Sequence, residues 1–237
     1  MIDIFNKNKL NTAFTLAEVL ITLGIIGVVA AMTIPSLIAN YRSKVAVTQL
    51  KKMYSVMSQA MLFTVQKDGD YSSLYEIQDY NSQSIQNWYN MALKPYIKIT
   101  NECFDNKPGC WTENTKYLNG NATGYKNGIG SNTIIFNTID GYSVSLDACN
   151  DNGSTMGVTV PNSSYLVAYV DVNGKKLPNV IGKDTYVFVF SERGFVPAGR
   201  DKTDEEVNAD CNKSGKGYYC FEKIMRNGWK IEQENLW

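Results

Sequence analysis

The clearest chemical demand in this chain comes from a single carboxylate at the head of an apolar run. Glu18 is followed by 23 uncharged residues before Arg42, most of them Leu, Ile, Val, Ala or Met. A charge just inside an apolar helix costs ~2.5–3.5 kcal/mol on insertion scales, so such a residue usually has a partner and a purpose. The blander alternative is a glutamate that reaches back to the lipid headgroups. A second set of oxygen ligands lies far downstream. Asp171 and Asn173 alternate ahead of Gly174, and Asp184 closes the same stretch, much as calcium loops present their ligands. Against a cation stand the lack of a closing bidentate Glu and the charges of Lys175, Lys176 and Lys183. Asn-Gly and Pro-Asn pairs are also what ordinary turns are made of, so both readings stay open.

Cysteine and histidine usage bounds the remaining chemistry. All five cysteines, Cys103, Cys110, Cys149, Cys211 and Cys220, follow the apolar run. Cys103 is close to Cys110 and Cys211 to Cys220; local pairing staples two loops and leaves Cys149 odd, with other pairings open. The spacings contain no Cys-x-x-Cys unit, and the chain has no histidine, which weakens any zinc reading and excludes Ser-His or Cys-His catalysis. Lys213-Ser214-Gly215-Lys216 lacks the full spacing and preceding strand of a phosphate loop. An enzyme would need a Lys/Ser or paired-carboxylate site, and none stands out.

The element that must position Glu18 is the run itself. At 1.5 Å per residue it reaches roughly 35 Å as a helix, enough for a bilayer core of ~30 Å. Lys7 and Lys9, opposed only by Asp3, keep the N-terminal dozen residues cytoplasmic and place the region beyond the helix outside, where disulfides persist. A secretory signal would have a shorter apolar core with a small-residue cleavage site after it. Here the small residue, Ala13, comes before.

Ala13-Phe14-Thr15-Leu16-Ala17-Glu18 followed by a long apolar helix resembles the class III signal of type IV pilins and type II secretion pseudopilins. The resemblance implies a cut by prepilin peptidase between Ala13 and Phe14, methylation of the new Phe14 amine, and Glu18 as the family's intramembrane glutamate. Two positions depart from the pattern: Ala13 stands where Gly is usual, and Ala17 where Ile or Val is usual. Pro35 falls where the family commonly has a helix-kinking proline. Pseudopilins often carry calcium in the β-loop region, so the resemblance favours Asp171, Asn173 and Asp184 as ligands if the loop holds a cation and is more than a turn; no other cofactor is expected. The implied partners are prepilin peptidase, other pilin or pseudopilin subunits in a homo- or hetero-polymer, the inner-membrane assembly platform and the membrane.

The expected organisation is a cytoplasmic leader over 1–13, a transmembrane or filament-core helix over 14–35, its amphipathic continuation over 36–67, and a globular head over 68–237. Leu50, Met53, Tyr54, Met57, Ala60 and Met61 recur at steps of three and four and mark the apolar face of the continuation, with Asp68-Gly69-Asp70 ending it. Residues 82–93 read as a shorter helix burying Ile85, Trp88 and Tyr89, stopped by Pro95. Strands are expected over 132–139, 142–147, 164–172 and 185–191, the first two joined by an Asp140-Gly141 hairpin turn. The predicted fold is α+β and pilin-like, one long N-terminal helix across an antiparallel sheet of about four strands, with no βαβ alternation. Toward the C-terminus, Phe221, Ile224 and Met225 share a face of a short helix that Gly228 ends, and Trp229 and Trp237 are expected over the sheet's open edge.

Removing residues 1–13 leaves 21 basic and 22 acidic side chains from totals of 23 and 23, so no basic field for nucleic acid exists. The leading expectation is therefore a structural subunit, not an enzyme. It is single-pass in the inner membrane with its head outside the cytoplasm, and enters a periplasmic or cell-surface filament. The alternative is a membrane-anchored or filament-tip adhesin using the Asn/Gly-rich loops of residues 112–131. Gly24, Gly27, Ala30 and Ala31 are small enough for close helix approach.

Overall fold

Fifty-three residues of unbroken helix begin the structure: α1 runs from Leu16 to Asp68 and contains Pro35. A computed structural model provides the coordinates, and it describes residues 15–69, 81–161 and 163–231. Ala13, Phe14, the leader and Trp237 therefore lie outside the described residues. The chain divides into two compact units, one ending at Arg42 and the other spanning Ser43–Trp237.

In the first unit α1 exposes its apolar side chains all round. Leu20, Ile21, Leu23, Ile25 and Ile26 each keep about three-fifths of their surface accessible. Among the described residues this is the one helix long and apolar enough to cross a membrane. Water is a poor solvent for such a surface, and a bilayer is a good one.

The second unit has the α+β architecture. Its share of α1 buries Leu50, Met53, Met57, Ala60 and Met61 on one face, with Tyr54 half-buried beside them, and leaves Lys44, Lys51, Lys52 and Gln59 in solvent. Each fully buried Leu or Met side chain contributes ~1.5–3 kcal/mol, so packing holds this half of the helix in place. Helix α2, Ser82–Ala92, is N-capped by Asn81 and buries Ile85, Trp88, Tyr89 and Ala92. Thr64 of α1 donates its hydroxyl to the Ala92 carbonyl at 2.6 Å, tying the two helices together.

The sheet has six strands in the order β1-β2-β3-β4-β5-β6, every pair antiparallel. They are β1 Ile99–Cys103, β2 Ile134–Thr138, β3 Ser143–Cys149, β4 Tyr165–Asp171, β5 Thr185–Ser191 and β6 Gly194–Pro197. About four were expected. β1 and β6 escape pattern reading because they are the edges. One is the polar, bulged Ile-Thr-Asn-Glu-Cys, the other only four residues ending in Pro, and both features blunt an edge. Between β2 and β3 Gly141 takes φ 88°, the left-handed conformation the tight turn requires.

Alternation along the strands serves two cores. Phe136, Val144, Leu166, Ala168, Val170, Phe188 and Phe190 face α1 and α2, while Ile135, Tyr165, Val167, Tyr169, Val187 and Val189 face the other way. The second face is closed by loop residues, among them Trp111, Ile129, Met156 and Ile181. Continuous burial in β4 and β5 follows from this double cover.

Two short helices finish the unit. Helix α3, Asp204–Asp210, opens with a capping box in which Thr203 and Glu206 satisfy each other's backbone N–H groups. Helix α4, Cys220–Arg226, buries Phe221 and Ile224, and Gly228 follows it at φ 65°. Trp229 departs from the expected edge position. It packs on Phe221 at 5.5 Å and Tyr54 at 6.2 Å between centroids, inside the helical layer, with the Lys51 ammonium over its ring.

Candidate functional site

The N-terminus of α1 is built as a reciprocal pair. The Thr15 hydroxyl accepts the Glu18 backbone N–H at 3.2 Å, and Glu18 Oε2 accepts both the Thr15 backbone N–H at 2.8 Å and the Thr15 hydroxyl at 2.7 Å. Thr15-Leu16-Ala17-Glu18 is thus a capping box. The first helical turn leaves N–H groups unsatisfied, and a carboxylate there answers both the free donors and the helix dipole. Thr15 is the residue that reading for charge alone passes over, although the Thr-x-x-Glu spacing announces it. Gly24 and Gly27, further along, have open space where a Cβ would stand.

The second assembly of polar side chains sits where β4 passes to β5. Asp171 ends β4 and Asp184 immediately precedes β5; both are buried. Asp184 gathers the loop: Oδ2 accepts the Asn179 backbone N–H at 2.7 Å and the Asn173 side-chain amide at 3.3 Å, and Oδ1 accepts the Val180 backbone N–H at 2.7 Å. Asp171 Oδ1 accepts the Asn173 backbone N–H at 3.0 Å. The structure therefore brings Asp171, Asn173 and Asp184 into one locality and adds Asn179, which a search for alternating ligands ahead of a Gly does not reach. Three buried oxygens of this group, Asp171 Oδ2, Asn173 Oδ1 and Asn179 Oδ1, accept no hydrogen bond. Buried acceptors are normally paired, so three orphans in one loop need an account.

Burial raises the Asp171 carboxyl to about 8, with the neighbouring Asp184 charge adding to the effect, and burial also raises Asp184. Hard oxygen donors and two carboxylates match the donor set of calcium or magnesium. Among the described residues no group of three His, Cys, Asp or Glu side chains converges, so a cation here would rely on carboxamide oxygens as well. Lys175 turns away from the carboxylates and donates to the Gly109 carbonyl.

The cysteines form two bridges. Cys103 joins Cys110 with Cα atoms 6.1 Å apart, and Cys211 joins Cys220 at 4.9 Å, linking the end of α3 to the start of α4. Cys149 is free, half-buried at the end of β3, and desolvation pushes its thiol up to about 12, the behaviour of an inert structural cysteine.

Comparison with known proteins agrees with the reading of the N-terminus. Residues 8–34 match the model of the prokaryotic N-terminal methylation motif, the class III signal of type IV pilins and pseudopilins, so the chain is a pilin-type precursor. No curated protein and no solved structure matches it. Most of the remaining length, residues 36–235, takes in the second half of α1, the six-stranded sheet, both disulfides and the β4–β5 loop, and it matches one family model: the chain belongs to the family of unknown function DUF6613.

Proposed function

We propose that this protein is a structural subunit of a type IV pilus or type II secretion-like filament, drawn from the membrane after processing between Ala13 and Phe14. The observation that carries the reading is the capping box at the head of α1 within a methylation motif. Before assembly, Thr15 shields the Glu18 carboxylate within its own helix, which lowers the cost of holding it at the edge of an apolar span. After cleavage the Phe14 amine carries a positive charge at the same helix end. In a helical stack, Glu18 of one subunit then meets the Phe14 amine of the next. The pair cancels two charges that are each expensive to strand in an apolar core, and so sets register more than affinity. Prepilin peptidase and the inner-membrane assembly platform are the partners this route requires, with the head outside the cytoplasm. The test is the amount of filament sheared from cells carrying Glu18→Ala, with membrane insertion checked by fractionation; filament at the unmutated level overturns the reading.

A second element of the proposal is a divalent cation, calcium by donor chemistry, held by Asp171, Asn173, Asn179 and Asp184. The three orphaned oxygens support it, since a cation gives each of them a partner. Bound there, it would neutralise the two buried carboxylates and pin the β4–β5 loop. The test is a calcium-dependent rise in melting temperature that Asp171→Asn removes.

A further inference from the structure

Between α1 and the β2–β3 hairpin the second unit holds an open groove of about 330 Å³. Its floor is apolar and buried: Met53 and Met57 from α1, Ile97 from the turn ahead of β1, and Val144 from β3. Val56 and Ile139 form its lips, the first half-buried and the second 64% exposed. The charged groups sit only at the rim. Asp140 is neutralised by Lys52 at 2.6 Å, whereas the exposed Lys98 ammonium has no ion-pair partner among the described residues. The groove therefore combines a large apolar interior with one uncompensated positive charge at its mouth.

That combination selects a ligand class. Small-molecule pockets begin at ~300 Å³, are mainly apolar and carry a few polar groups that fix orientation. A cavity of ~150 Å³ accommodates one benzene, so this groove takes roughly twice that, a body of about a dozen carbons. It is too small for a two-chain lipid. Two methionines on the floor add the adaptability that lets an unbranched chain settle without a rigid match. From this geometry we infer that the groove binds a single medium-length fatty-acyl chain, a fatty acid whose carboxylate pairs with Lys98 while its tail lies over Met53 and Met57. Charge complementarity at the rim and the apolar volume carry the assignment, which does not depend on filament formation.

The experiment uses the full chain in phosphatidylcholine nanodiscs, with a diazirine-bearing dodecanoate as probe and peptide mass spectrometry as readout. Photolabel is expected on peptides containing residues 53–57, 96–98 or 138–144, displaced by excess dodecanoate. Val56→Trp fills the lip from its half-exposed side and should reduce this labelling at least tenfold, while intact disulfides and an unchanged melting temperature report a folded head. Lys98→Gln should weaken competition by dodecanoate roughly two- to fivefold, the scale of an exposed ion pair, and leave competition by neutral dodecanol unchanged. Label confined to residues 16–38, or head labelling that Val56→Trp in a folded protein does not lower, overturns the inference. Equal effects of Lys98→Gln on acid and alcohol overturn the assignment of the carboxylate.

Discussion

Thr15 and Glu18 satisfy each other across the first turn of α1, with the carboxylate 2.8 Å from the Thr15 backbone N–H and 2.7 Å from its hydroxyl. The carboxylate at the head of the apolar span is therefore already partnered within its own chain. In the proposed filament, assembly must exchange part of this shielding for the amine of a neighbour, which separates the roles of charge and hydrogen bond. Glu18→Gln keeps an acceptor for Thr15 but no charge. It should insert as well as the unmutated chain and yield filament near background, the outcome also expected of Glu18→Ala. Sheared-filament quantification with membrane fractionation reads this directly, and normal filament from Glu18→Gln would show that charge pairing is not what sets register.

Removing the cap should act on the helix end instead. Thr15→Val leaves Glu18 in place but deletes the hydroxyl that accepts its N–H, a loss typically worth ~0.5–2 kcal/mol. Filament yield should fall partially, with less protection of the first turn of α1 in hydrogen exchange. A yield as low as that of Glu18→Ala would mean that Thr15 does more than cap.

Processing has its own readout. Mass spectrometry of the mature N-terminus in cells with an active prepilin peptidase should find methylated Phe14. Ala13→Gly should be cut at least as fast, because Gly is the usual residue at that position of the signal. An intact Met1, or a cut beyond Pro35, would count against the route.

Buried carboxylates on the sheet and its β4–β5 loop should make stability depend on pH. Asp171 has a folded pKa raised to about 8 by burial and by Asp184, and Asp147 one raised to about 6 by burial. Between about pH 4, the ordinary carboxylate value, and these folded values, the unfolded chain is ionised and the folded chain holds protons. Stability therefore falls as pH rises through that window, and the melting temperature without divalent ions should climb from pH 8 to about pH 5. Below about pH 4 the trend should reverse as Asp201, held down to about 2 chiefly by Arg193, and the other lowered carboxylates lose their partners. Millimolar calcium should raise the melting temperature by roughly 5–10 °C at pH 8 if it saturates a site about a hundredfold, and less at pH 5, where protons compete. Asp171→Asn should flatten the pH slope and abolish the calcium response. Asp184→Ala is a poorer test, since that carboxylate also holds the backbone of Asn179 and Val180.

Reduction of the two disulfides should lower the melting temperature by roughly 10–30 °C in all, since closing each short loop is typically worth ~2–4 kcal/mol. Non-reducing peptide maps should show Cys103 with Cys110 and Cys211 with Cys220, and Cys149 should resist alkylating reagents until the head unfolds. Rapid labelling of Cys149 in the native protein would contradict its half-buried, deprotonation-resistant setting.

Much of this molecule is legible in one dimension because it rests on local rules. The apolar run, the carboxylate at its head, the Met-rich stripe of α1, the Ser82–Ala92 helix and the four central strands all follow from side-chain period and composition, which act residue by residue along the chain. The Thr15–Glu18 box is written in the same local code. Long-range pairing decided the rest. β1 and β6 became strands only because β2 and β5 present open edges to them, a condition that no five-residue pattern contains. The second core exists because the loops carrying Trp111, Ile129 and Ile181 fold back over a sheet face that alternation alone would leave to solvent. Asn179 joined Asp171, Asn173 and Asp184 through a backbone turn held by Asp184 itself. The groove over Met53 and Met57 opened between a helix and a hairpin more than eighty residues apart in sequence. Periodicity says which side of a segment seeks cover; only the three-dimensional arrangement decides what covers it, because burial energy depends on apolar area removed from water and not on which residue removes it.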